Sequence, residues 1–101
     1  MEPKEIYRSL IRLYILIEAD KQPLDSTGVA ASLCDRGFAL SLASTRRILR
    51  SFEDNGYLAG AKVRNSRPHK VYTLTAAGRR RARDAKRKIG ELMETFGELG
   101  K

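Results

Sequence analysis

Apolar residues recur along this chain first at helical spacing, then in two strand-like runs, then at helical spacing again. In residues 5–19, Ile6, Leu10, Leu13 and Ile17 repeat at 4-3-4 spacing beside a second stripe of Tyr7, Ile11 and Tyr14, which predicts an amphipathic helix. Two stripes on one helix call for cover on two sides, one side by its own domain and the other by a partner chain. Gln22-Pro23 ends the segment. Asp25 or Ser26 then caps a short helix carrying Val29, Ala30 and Leu33, with Gly37 as its stop. Cys34 falls on or beside that apolar face and reads as a small buried hydrophobe. After the link Phe38-Ala39-Leu40, Ser41 caps a third helix that runs to Asn55-Gly56. Leu42, Thr45, Ile48, Leu49 and Phe52 fall on its inward face, which leaves Ala43, Ser44, Arg46, Arg47, Arg50 and Asp54 outward.

Residues 57–63 then read as a strand and Val71-Tyr72-Thr73-Leu74 as its return, with turn formers Asn65-Ser66-Arg67-Pro68-His69 between them. Thr75 caps a last helix reaching about residue 99, whose Ala82, Ala85, Ile89, Leu92, Phe96 and Leu99 repeat at 3-4-3-4-3 spacing. Such a heptad seam buries its apolar edge against another helix. The first helix of the same chain would serve, and so would a dimer in which first and last helices intertwine. Ile6, Leu10 and Leu13 with Ile89, Leu92, Met93, Phe96 and Leu99 are the candidate dimer contacts. The order of elements is that of a winged helix, mainly α with a small β-hairpin. One domain spans residues 1–101: first helix about 5–19, helix-turn-helix about 26–55, wing about 57–74, C-terminal dimerisation helix about 75–99.

Charge sharpens this picture. Net charge is +8 over 101 residues, yet residues 1–40 are close to balance. Residues 62–88 hold eleven Lys/Arg against the single acid Asp84. A solvated surface would account for a charge run, but a polyanionic partner explains its localisation better. No apolar run exceeds five residues, so no membrane helix is expected, and the N-terminal residues lack the apolar core of a signal peptide. Cys34 is the sole cysteine and His69 the sole histidine, so neither a disulfide framework nor a metal cluster is expected. No cofactor is called for, and the expected compartment is the cytoplasm, on the nucleoid when bound to DNA. Catalysis would need a nucleophile with its base, paired carboxylates or a phosphate-binding loop, and none of these is present.

The third helix presents the chemistry of a major-groove reader. Only there does each base pair offer a distinct pattern of donors and acceptors, and a helix enters only with a small, polar leading face. Ser41, Ala43 and Ser44 meet that need. Ser44, Arg46 and Arg47 are the candidates for base edges and Arg50 for a phosphate, although Arg50 has Glu53 and Asp54 nearby as alternative partners. In the hairpin Lys62, Arg64, Arg67, His69 and Lys70 project where a minor groove or phosphate strand would lie. The expected partner is double-stranded DNA. A winged-helix module for a protein or RNA partner is the alternative, disfavoured because the outward set on the third helix lacks apolar anchors.

The stretches ILRSFEDNGYL at residues 48–58 and VYTLTAAGRR at residues 71–80 carry a resemblance to the PadR family of bacterial transcriptional regulators. Tyr72, Leu74, Thr75, Gly78 and Arg79 match that family's strand-to-helix pattern, and MarR-like proteins share its LT-x-x-G turn. The resemblance covers about residues 41–81. It implies a winged-helix domain, a dimer clasped by terminal helices, and repression by occupying a palindromic operator. Arg46 stands where the family commonly has tyrosine, and Ser26-Thr27-Gly28-Val29 replaces its Gly-Tyr pair. A small-molecule effector has no support in the sequence. The place for one would be the dimer interface around the first-helix tyrosines and Met93 or Phe96, where a plain core is the simpler reading.

Overall fold

The computed structural model of the chain describes residues 3–64 and 69–99, with side chains described over 7–64 and 69–97. Its elements are α1 (Pro3–Lys21), α2 (Ser26–Asp35), α3 (Leu42–Asp54), β1 (Leu58–Val63), β2 (His69–Leu74) and α4 (Ala76–Leu99). Three helices, an antiparallel hairpin and a long closing helix make a winged helix.

Local chemistry sets most of the boundaries. Asp25 caps α2, its carboxylate accepting from the Gly28 amide at 2.7 Å, and Gly37 ends the turn beyond at φ 89°. Ser41 caps α3 by accepting from the Ser44 amide at 3.1 Å, and Gly56 follows it at φ 82°. Both glycines sit in the left-handed region that side chains disfavour. Thr45 is fully buried, and its hydroxyl is satisfied by donating to the Ser41 carbonyl at 2.9 Å.

The hairpin pairs Leu58 with Leu74 through to Val63 with His69. His69 and Lys70 therefore belong to β2, two residues before the start that the alternation predicts. Leu24 adds a single bridge on the outer edge of β2. Its amide donates to the Tyr72 carbonyl at 2.9 Å and its carbonyl accepts from the Tyr72 amide at 2.7 Å. The segment between α1 and α2 is thereby tied to the wing.

The core gathers Ile15, Leu33, Leu49 and Leu58, all fully buried, with Ile11, Leu16, Ala19, Leu24, Val29, Phe52, Tyr72 and Ala82 around them. On α1 the buried line is Ile11, Ile15 and Ala19, not the Leu10–Leu13–Ile17 stripe. Leu10 is exposed and Leu13 and Ile17 are half-buried, because α1 is apolar around so much of its circumference that spacing alone does not say which side its own domain covers. Two further expectations are corrected. Cys34 is exposed, on the last turn of α2 beyond the Val29–Leu33 face. Leu42 is exposed too, because it is the first residue of α3 and precedes the turn that packs inward.

Small residues let α4 approach α1 closely, with Ala82 and Ala85 buried on its facing side. An ion pair cluster fastens the same joint, with Lys86 and Arg79 meeting Asp20 at 3.0 and 3.7 Å. The Lys86 ammonium, with Arg79 and Arg83 nearby, holds the Asp20 carboxyl below its ordinary value. Asp84 is lowered likewise, by Arg87 and then Lys88. A carboxylate whose value is depressed by folding contributes stability that is present above its unfolded value and lost as pH falls through the folded one. Thermal stability is therefore expected to decline as pH drops below about 4. Asp20→Asn should make that decline shallower when melting temperature is followed against pH.

Candidate nucleic-acid interface

Thr45, Leu49 and Phe52 are the buried residues of α3, and at 100° per residue the opposite side carries Ala43, Arg46, Arg47 and Arg50. All four are exposed. None of the three arginines forms an ion pair with a described residue. Glu53, which the sequence offers to Arg50, instead turns to Lys70 at 2.6 Å. Ser41 and Ser44 stand at the entrance of this face, Ser41 committed as the cap and Ser44 half-buried.

The wing supplies a second set of cations. Lys62, Val63, Arg64, His69 and Lys70 line an open groove of about 500 Å³. Lys62 and Arg64 are exposed, whereas His69 and Lys70 are half-buried. Lys62 lies directly across the ladder from Lys70, a like-charge pair that destabilises a hairpin unless one partner is neutralised. Glu53 neutralises Lys70, whose ammonium also sits 5.3 Å from the Tyr72 ring centroid. Hydrogen bonding to Lys70 holds the Glu53 carboxyl below its usual range, and Lys70 is raised in return. Arg67 lies outside the described residues.

The basic block at the start of α4 is more engaged than its count suggests. Arg79 and Lys86 serve Asp20, Arg87 bridges Asp84 and Glu91, and Lys88 reaches Asp84. Arg81 lies over the Tyr57 ring at 5.2 Å. Among the described residues the exposed cations without an ion pair thus include Arg46, Arg47 and Arg50 on α3, Lys62 and Arg64 on the wing, and Arg80, Arg81 and Arg83 on α4.

Away from this surface, Leu10, Leu92, Met93 and Phe96 are exposed at 46, 54, 62 and 58%. Tyr7, one turn before Leu10 on α1, is exposed too, and Leu13 and Ile89 are half-buried. The side chains of Ile6 and Leu99 lie outside the described residues.

Residues 6–84 match the family model described as the transcriptional regulator PadR-like family. The chain belongs to that family. PadR-like proteins are transcriptional regulators, not enzymes. The fold is shared with a PadR-like regulator from Bacillus cereus, with a TM-score of 0.83 at 18% identity over 94% of this chain and 95% of that one. A PadR family regulator from Eggerthella lenta superposes with a TM-score of 0.77 at 24% identity, covering 94% of this chain and 85% of that one. The adhesin competence repressor of Streptococcus pyogenes gives 0.72 at 22% identity over 88% of this chain, which spans 63% of that repressor's length. No curated protein matches the sequence closely enough to count as a relative.

In this PadR-like chain the residues that carry the family resemblance form a joint. The Thr75 hydroxyl donates to the Gly56 carbonyl at 2.6 Å and accepts from the Gly78 amide at 3.0 Å. Tyr72 holds Leu24, and Arg79 reaches Asp20. The motif thus joins the end of α3, the wing and α4. The sequence does not single out Leu24 or Asp20, and it offers Glu53 only as a partner for Arg50. Each acts through contacts to residues distant in the chain, which leave no periodicity behind.

Proposed function

We propose that this chain is a homodimeric, sequence-specific reader of double-stranded DNA that represses transcription by occupying a two-fold-symmetric operator, in the cytoplasm on the nucleoid. The observation that carries this reading is the outward face of α3, where Arg46, Arg47 and Arg50 stand exposed without ion-pair partners among the described residues. Guanidinium groups held ready on a helix of small leading residues suit guanine edges and phosphates. Ser44, Arg46 and Arg47 would face bases, with Arg50 and the Ser41 end of the helix near the backbone. Lys62 and Arg64 would follow the adjacent groove, joined by Arg67 and His69. No helix among the described residues is long and apolar enough to cross a membrane.

Dimerisation rests on the apolar side chains left uncovered on α1 and α4. Leu10, Leu92, Met93 and Phe96 are too large and too contiguous in sequence pattern to be scattered surface residues. A copy of the chain, with the same seam, covers them isologously. Leu92→Glu places a charge in that seam and is expected to give monomers in sedimentation equilibrium. A dimer unchanged by the substitution would remove this interface.

Selection of bound sequences from a randomised duplex pool, followed by titration of the winner against salt, tests the reading. A symmetric site is expected, bound far more tightly than random duplex, with a slope near −0.9 per phosphate contacted. Steep salt dependence without an enriched sequence would replace it with non-specific binding.

A further inference from the structure

We propose that Glu53 is the positioning residue of the wing: its carboxylate fastens both Lys70 and the Gly60 amide to the end of α3, so that Lys62 and Arg64 keep a fixed register with Arg46, Arg47 and Arg50. The inference rests on the DNA-binding reading for its consequence, though the fastening itself is independent of DNA.

Hydrogen-bond accounting in the hairpin leads to it. Tyr72 spends both its amide and its carbonyl on Leu24. Its partner across the ladder is Gly60, so these two exchange no hydrogen bond, and the polar groups of Gly60 face the opposite outer edge of the hairpin. There the Glu53 carboxylate accepts from the Gly60 amide at 3.2 Å through one oxygen and from Lys70 Nζ at 2.6 Å through the other. The carboxylate therefore grips both strands of the wing at once, from the last full turn of α3.

The glycine is part of the device. A Cβ at residue 60 would lie 2.4 Å from the Lys70 Cε and 2.7 Å from the Glu53 Oε2. Any larger residue there pushes apart the two groups that the latch joins. Lys70 is then a strut and not a phosphate contact, since its ammonium is already met by an anion and an aromatic ring. Charge-assisted bonds of this kind are about twice as strong as neutral ones, which suits a tie between the end of α3 and both strands of the wing.

The test compares Glu53→Gln, Glu53→Ala and Lys70→Met with the unchanged protein. Amide exchange at Gly60 is read by NMR without DNA, and binding is titrated against salt on the selected duplex and on a random 30-mer. Both Glu53 variants should speed Gly60 exchange. They should lower affinity for the selected duplex on the order of tenfold, the loss expected for one charged hydrogen bond, with affinity for the random duplex held or raised. Lys70→Met should show the same loss of preference with an unchanged salt slope. Equal Gly60 exchange in all proteins would overturn the latch. A salt slope shallower by about 0.9 in Lys70→Met, with sequence preference kept in Glu53→Ala, would overturn it too and make Lys70 a phosphate contact. If the unchanged protein binds no duplex, the DNA reading fails by itself, and the exchange measurement still decides the fastening.

Discussion

Replacing Arg46 and Arg47 together with alanine is expected to abolish preference for the selected duplex while leaving the fold intact. A well-formed bidentate contact to a base contributes roughly 1–3 kcal/mol of discrimination. Two of them lost together amount to roughly 2–6 kcal/mol, or about 30-fold to 10⁴-fold in affinity. The fold has no stake in either side chain: both are exposed, neither pairs with a described acid, and alanine is the better helix former. The melting temperature should therefore stay nearly constant. Random duplex should be bound somewhat more weakly, since positive charge is removed, but by far less than the selected site. Arg50→Ala makes the contrast, weakening both duplexes alike and flattening the salt slope by about 0.9. An equal loss on both duplexes for Arg46 and Arg47 would demote them to phosphate contacts.

How readily each feature could be seen in the sequence follows from the range of the interaction behind it. The caps at Asp25 and Ser41 and the stops at Gly37 and Gly56 act within a single helical turn, so residue type at one position suffices. The inward face of α3 is written in its own spacing, apart from Leu42, which lies at the helix start before any partner covers it. α1 is harder, because apolar residues surround most of it and only the packing of the rest of the domain against Ile11, Ile15 and Ala19 decides which side is core. The ties that set element against element were hidden. Lys86 meets Asp20 across 66 residues and Lys70 meets Glu53 across 17, and neither distance leaves a pattern in the chain. The same blindness affects the basic block. A count of charge over residues 62–88 does not reveal that Arg79, Lys86, Arg87 and Lys88 are bound to acids of the protein itself, which leaves Arg80, Arg81 and Arg83 as the α4 cations without an ion pair among the described residues.

Alanine at residue 78 and alanine at residue 90 should move stability in opposite directions, although both replace a glycine inside α4. In an open helix the change to alanine is worth up to about 1 kcal/mol in favour of folding. Around Gly90 nothing lies within 4 Å of an added Cβ, so Gly90→Ala should raise the melting temperature by a few degrees. Gly78 is fully occupied by its neighbours. A Cβ there would stand 2.1 Å from the Tyr57 carbonyl oxygen and 2.7 Å from the Leu74 Cδ1. The leucine can turn aside, but the carbonyl cannot, because it is backbone and already accepts from the Thr75 amide at 3.1 Å. Relief must come from moving α4 off the joint that Thr75, Gly56 and Tyr57 make. Overpacking of this kind costs about 1–3 kcal/mol and sometimes more, which exceeds the gain in helix propensity. A net loss of about 2 kcal/mol corresponds to a fall of roughly 10 °C for a domain of this size. A bulkier Gly78→Val should prevent folding, and a melt unchanged by Gly78→Ala would mean that α4 does not rest on the Tyr57 carbonyl at all.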